Sequence, residues 1–143
     1  MKKKIILVVV LLSTLTCIFA QHPDDIKGVW VNNNKDAKIE IYKSGEKYFG
    51  KIIWAKSMYE SDGRTLKKDD KNPDAALRNR AVLNLNIVNG LSYDDEEWTG
   101  GTLYDPKSGK TFDCKMKRKG ANLEIRAYLG TPMFGKTITW AKV

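Results

Sequence analysis

From Lys110 to Leu129 the side chains change character at almost every step. Phe112, Cys114 and Met116 fall on one side of the run, and Thr111, Asp113, Lys115 and Lys117 on the other. After a turn at Gly120, Leu123, Ile125, Ala127 and Leu129 alternate in the same way with Asn122, Glu124, Arg126 and Tyr128. Successive residues of a strand face opposite ways, so two such runs in succession predict a hairpin with one apolar and one wet face. A chain with this pattern closes or stacks an antiparallel sheet around an apolar interior.

Residues 1–20 have another character. Lys2, Lys3 and Lys4 precede an apolar stretch from Ile5 to Leu12, and Ala20 is a small residue at a cleavage point before Gln21. This is the pattern of a secretory leader, too short to span a bilayer as a stable helix. It predicts an exported protein, periplasmic or secreted, with a leader at 1–20, a single domain at 21–143 and no transmembrane segment. Cys17 offers an alternative, lipid attachment, for which Thr16 is a poor preceding residue. Removing residues 1–20 takes three lysines and no acids, so Lys+Arg falls from 25 to 22 against 17 Asp+Glu, and the charge from +8 to +5. Lysines alternate with Glu40, Glu46, Asp113 and Glu124 instead of forming a basic stripe, which argues against nucleic acid as a partner.

Without Cys17, Cys114 is the one remaining thiol, so no intramolecular disulfide is available, and between Phe112 and Met116 it reads as an inert packing residue. His22, the sole histidine, lies where chain ends commonly fray. Histidine triads and histidine-based zinc sites are therefore disfavoured, and neither cofactor nor metal is expected. Asp69, Asp70, Asn72 and Asp74 have the look of a calcium loop. Counted from Asp70, however, Ala75 stands where glycine is needed and Ala81 where a bidentate acid belongs. The acidic run Asp94 to Glu97 reads as an exposed turn.

Strands are expected at Gly28–Val31, around Ala37–Ile41, at Lys47–Lys56, through Leu83, Leu85 and Ile87 to a hairpin at Asn89-Gly90, at Trp98–Tyr104, in the two runs already described, and at Gly135–Val143. Gly50 and Gly100-Gly101 mark points of coiling. The fold class is thus all-β, an eight-stranded antiparallel meander barrel with one long loop at 57–80 that carries a short helix near 74–79, capped by Asn72 with Pro73 first. Such a loop is commonly a lid or binding loop. Eight strands enclose either packed side chains or one small ligand.

Tyr48, Ile52 and Trp54 share one parity, and Phe112, Met116 and Arg118 another; with Ile125 and Ala127 they form a candidate lining for a small apolar or amphipathic ligand, Arg118 supplying a polar end. Asp74, Arg78, Arg80 and Asp105 are candidates for a cluster at the barrel mouth. Three functions follow: ligand binding inside the barrel, a scaffold with a filled core, and an envelope enzyme working at the mouth. No catalytic residue is assigned.

Gly28-Val29-Trp30 at the start of a small exported meander resembles the opening of lipocalin-like barrels. Together with YFGKI at 48–52, NPDAALRNR at 72–80, WTGGTLYDPKSGKTF at 98–112 and GTPMFGKTITW at 130–140, it makes the mature chain similar to a bacterial family catalogued as domain of unknown function 2147. That resemblance implies an exported, lipocalin-like barrel and carries no activity with it.

Overall fold

The computed structural model describes residues 20–143; the leader, Ala20 excepted, and Cys17 lie outside them. Eight strands follow one another round a closed barrel: β1 (Gly28–Asn32), β2 (Ala37–Ser44), β3 (Lys47–Ala55), β4 (Asn86–Asp94), β5 (Glu97–Asp105), β6 (Lys110–Lys119), β7 (Asn122–Tyr128) and β8 (Gly135–Lys142). Each pairs antiparallel with its neighbour, and β8 returns to β1 through Trp30↔Lys142, Val31↔Ala141 and Asn32↔Trp140.

The hairpin that the alternation predicts is β6–β7, with Cys114 opposite Ala127 and Met116 opposite Ile125. Their neighbours continue the inner face: Trp98 opposite Met116, Leu123 opposite Trp140, Ile125 opposite Ile138. Trp30, Ile39, Ile41, Tyr48, Val88 and Leu91 complete a core in which these side chains are almost wholly withdrawn from water. Burying each such side chain stabilises the fold by roughly 1.5–3 kcal/mol.

Two strand boundaries differ from the expectation. Asn89-Gly90 does not turn the chain; β4 runs through it, and the hairpin lies beyond, at Asp95-Glu96, both with positive φ. Gly90 uses its freedom at φ 73° inside the strand, where it bends the backbone without reversing it. Leu83 and Leu85 precede β4, and Leu85 joins the core from the loop, its carbonyl accepting from the amide of Ile52.

A seven-residue segment closes one end of the barrel. Gln21 to Lys27 includes a 3-10 turn, Pro23–Ile26, whose entry is capped by a reciprocal pair: the amide of Asp24 donates to His22 Nδ1 and the amide of His22 to Asp25 Oδ2. The expected fraying of this end does not occur, because side chains from six strands hold it. Trp30 Nε1 donates to the carbonyl of Ile26 (2.8 Å), Trp98 Nε1 to that of Pro23 (3.0 Å), and the Tyr93 hydroxyl to that of Gln21 (2.8 Å). The Tyr48 hydroxyl donates to Asp24 (2.7 Å), Arg118 Nη1 to the carbonyl of Asp25 (3.0 Å), and Lys142 Nζ to that of Lys27. Ile26 drops fully buried into the end of the core.

Candidate functional site

The plug decides what several predicted ligand-lining residues do. Tyr48 and Arg118 are at the closed end, engaged with the plug; Arg118 also donates to the carbonyl of Gly120 (2.7 Å), and its guanidinium lies 5.6 Å from the Trp30 ring centre. Burial and the bond to Asp24 push the Tyr48 hydroxyl well above the usual tyrosine range. Lys142, whose Nζ lies 4.7 Å from the same Trp30 ring centre, is held below the usual lysine range by burial and by the nearby Arg118 charge. Met116 and Ile125 are fully buried in the packed middle, beside Cys114, whose thiol burial pushes up to about 12. That leaves Cys114 protonated and inert at neutral pH.

Trp54 is the one residue of that set on the wrong side of the wall. Lys38 pairs with Trp54 and Ile39 with Ile52, so Ile53 is an extra residue that shifts the alternation by one. Ile39 and Ile52 face inward, whereas Trp54 lies outside beneath the Lys38 ammonium, 5.9 Å from its ring centre. Ile52 remains in the core.

The opposite end of the barrel is less full. Leu103 and Phe112 face each other across β5–β6, while on β7–β8 Ala127 stands opposite Lys136 and Ile138 opposite Ile125; all four of these apolar residues, Leu103, Phe112, Ala127 and Ile138, are half-buried, and Leu103 and Ile138 pack against the core. Lys136 is exposed at the rim. Beside it the β7–β8 loop exposes Leu129, Met133 and Phe134, the last two 79% accessible. Arg126 braces this loop, donating to the carbonyls of Pro132 (2.8 Å) and Met133 (3.3 Å) and to Thr137 Oγ1 (2.9 Å). Trp140, on the inner wall, buries an indole N–H that has no acceptor among the described residues.

The long β3–β4 loop folds back over the outside of β4–β6. Its anchor is Asp69, 0% exposed. That carboxylate accepts from the Tyr104 hydroxyl (2.5 Å), Asn72 Nδ2 (2.8 Å), and Arg80 Nε and Nη2 (both 2.9 Å). A buried charge needs such a set of partners. Burial, reinforced by the bond to Asp69, raises the Tyr104 hydroxyl to about 12. The β5–β6 turn presses on the loop so closely that a Cβ on Gly109 (φ 72°) would stand 2.0 Å from the carbonyl oxygen of Lys71. The segment is therefore a packed element and not a lid. Its short helix is a single 3-10 turn, Ala75–Leu77, capped by Asp74 instead of Asn72, because Asn72 is occupied with Asp69 and with the amide of Asp74.

Between loop and sheet lies a cleft of about 370 Å³. Asn72, Pro73 and Arg80 form one wall; Asn86, Asn89, Thr102 and Thr111 form the other, over Tyr104. Of the four charged mouth candidates only Arg80 reaches it. Asp74 caps Ala76, Arg78 holds the carbonyl of Asn72 (2.7 Å), and Asp105 fixes its own turn through the amide of Lys107 and the hydroxyl of Ser108. Asp69 and Tyr104, the residues that build the cleft, were not distinguishable as a pair in the sequence. Among the described residues no group of three or more His, Cys, Asp or Glu is placed to hold a metal, and no helix is long and apolar enough to cross a membrane.

Residues 28–142 match the model of a family described as uncharacterized proteins conserved in bacteria, DUF2147. Among solved structures, the chain is similar to protein HP1028 from the human pathogen Helicobacter pylori, described as belonging to the lipocalin family. The TM-score is 0.71 at 24% identity, over 83% of each chain. No curated protein matches the chain.

Proposed function

Because this chain belongs to the bacterial DUF2147 family and folds as a lipocalin-like barrel, we propose that it is a small-molecule binding protein, taking an apolar or amphipathic ligand at the open end of the barrel. The observation that carries this reading is the one-sided filling. The plugged end is sealed by the buried Ile26 and by the bonds that six strands make to the plug, while Leu103, Phe112, Ala127 and Ile138 are only half-buried at the other end. An eight-stranded barrel is either filled by its own side chains or holds one small ligand. Lys136 at the rim offers a partner for an anionic head group, the role that Arg118 gives up to the plug, and the Trp140 N–H, without an acceptor among the described residues, offers a donor deeper in. From the leader-like residues 1–20 we infer that the protein works in the periplasm or outside the cell.

Displacement of a fluorescent fatty acid tests the proposal. The parent should bind the probe, and Ala127→Trp should abolish binding while the fold stands, since free volume accepts an added side chain that a packed core does not. The packed closed half favours a second reading, a scaffold whose core is filled throughout. Absence of binding together with unfolding of Ala127→Trp would establish that reading instead.

A further inference from the structure

We propose that the cleft between the β3–β4 loop and the outer face of β4–β6 is a separate site for a neutral sugar unit. Its volume, about 370 Å³, lies in the lower part of the roughly 300–1,000 Å³ common for small-molecule sites. The two walls come from distant parts of the chain and are locked together by the buried Asp69, so the site exists before any ligand arrives. Preorganised polar groups lose less freedom on binding than groups that must first be ordered.

The hydrogen bonds already made decide which groups remain for a ligand. Arg80 spends Nε and Nη2 on Asp69, leaving Nη1; Asn86 accepts from the Tyr42 hydroxyl through Oδ1, leaving its amide nitrogen. Asn89, Thr102 and Thr111 make no side-chain hydrogen bond among the described residues. The free set is thus amides and hydroxyls, each able to donate or to accept, with one guanidinium whose charge Asp69 already balances. An anion would call for an unbalanced cation. Adjacent hydroxyls of a sugar, each both donor and acceptor, match this set, and the Pro73 ring supplies an apolar face for the C–H side of the sugar.

The test uses the processed chain and proton–nitrogen NMR spectra recorded with glucose, N-acetylglucosamine, maltose, inorganic phosphate and glucose 6-phosphate. At least one neutral sugar should shift, saturably, the amides of residues 72, 74–80, 89, 102 and 111. Thr102→Val and Asn89→Leu should each weaken it tenfold or more without changing the melting temperature. Ala127→Trp should leave sugar binding intact, which separates this site from the one at the barrel mouth. Saturable shifts with phosphate and glucose 6-phosphate alone would overturn the proposal in favour of an anion site. No saturable shift with any of the five would overturn it outright.

Discussion

The Tyr104 hydroxyl donates to Asp69 over 2.5 Å, and through that bond the longest loop of the chain is fastened to the outer wall of the barrel. The bond also ties the fold to pH. Tyr104 ionises near 12 in the folded protein against an ordinary value of 10, so the folded state holds the proton more tightly than the unfolded chain. The part of the stability that depends on Tyr104 should therefore be constant up to about pH 10 and fall between 10 and 12, as the unfolded chain loses its proton first, while the buried Cys114 thiol adds a decline that begins near its ordinary value of 9. In urea titrations, Tyr104→Phe should be about 1–3 kcal/mol less stable at pH 7, from the donor lost by a buried carboxylate, and should show a shallower alkaline decline. Tyr48 contributes in the same direction, so the decline should not vanish.

Arg118→Ala should act on stability and not on ligand choice. The side chain serves the carbonyls of Asp25 and Gly120, and losing a charged donor there should cost about 1.5–3 kcal/mol. Affinities for a fatty acid and its matching alcohol should fall together or not at all. A selective loss of acid binding would put a ligand carboxylate next to Arg118.

Gly109→Ala should detach the loop. The added methyl group meets Lys71 backbone and forces a positive φ on a residue that resists it. Limited proteolysis should then cut within 57–80, a segment that should resist cleavage in the parent about as well as the β6–β7 hairpin does.

Intact-mass analysis of protein recovered from an expressing bacterium should show a chain beginning at Gln21, free or cyclised. A diacylglycerol-modified terminus at Cys17 would mean that the chain is lipid-anchored.

What could be read from the residues depended on how local the controlling interactions are. The β6–β7 hairpin was legible because Phe112 to Met116 and Leu123 to Ala127 each carry their own face assignment. Trp54 was placed on the wrong face by a single inserted residue, Ile53, which nothing in the local composition announces. Asn89-Gly90 carries turn chemistry that the sheet uses for a bend instead. In the sequence Asp69 is one of four neighbouring oxygen donors that only resemble a calcium loop. Its meaning comes from Tyr104 and Arg80, and pattern within a window cannot report partners brought together by folding. The ordering of His22 escaped for the same reason, since the groups that hold the plug are spread over the whole chain.

That plug has a mechanical consequence. Seven of the eight strand pairings join consecutive strands, and only the seam between β1 and β8 joins the two ends of the chain, through three residue pairs. The seam is the natural place for the cylinder to split, much as a cask opens between two staves. The segment Gln21–Lys27 takes bonds from β1, β3, β4, β5, β6 and β8 alike, so it acts as a hoop around staves that would otherwise part at that seam. Strain on the barrel is thereby shared around its circumference, and a segment that appears in the sequence to be a loose end governs whether the wall stays shut.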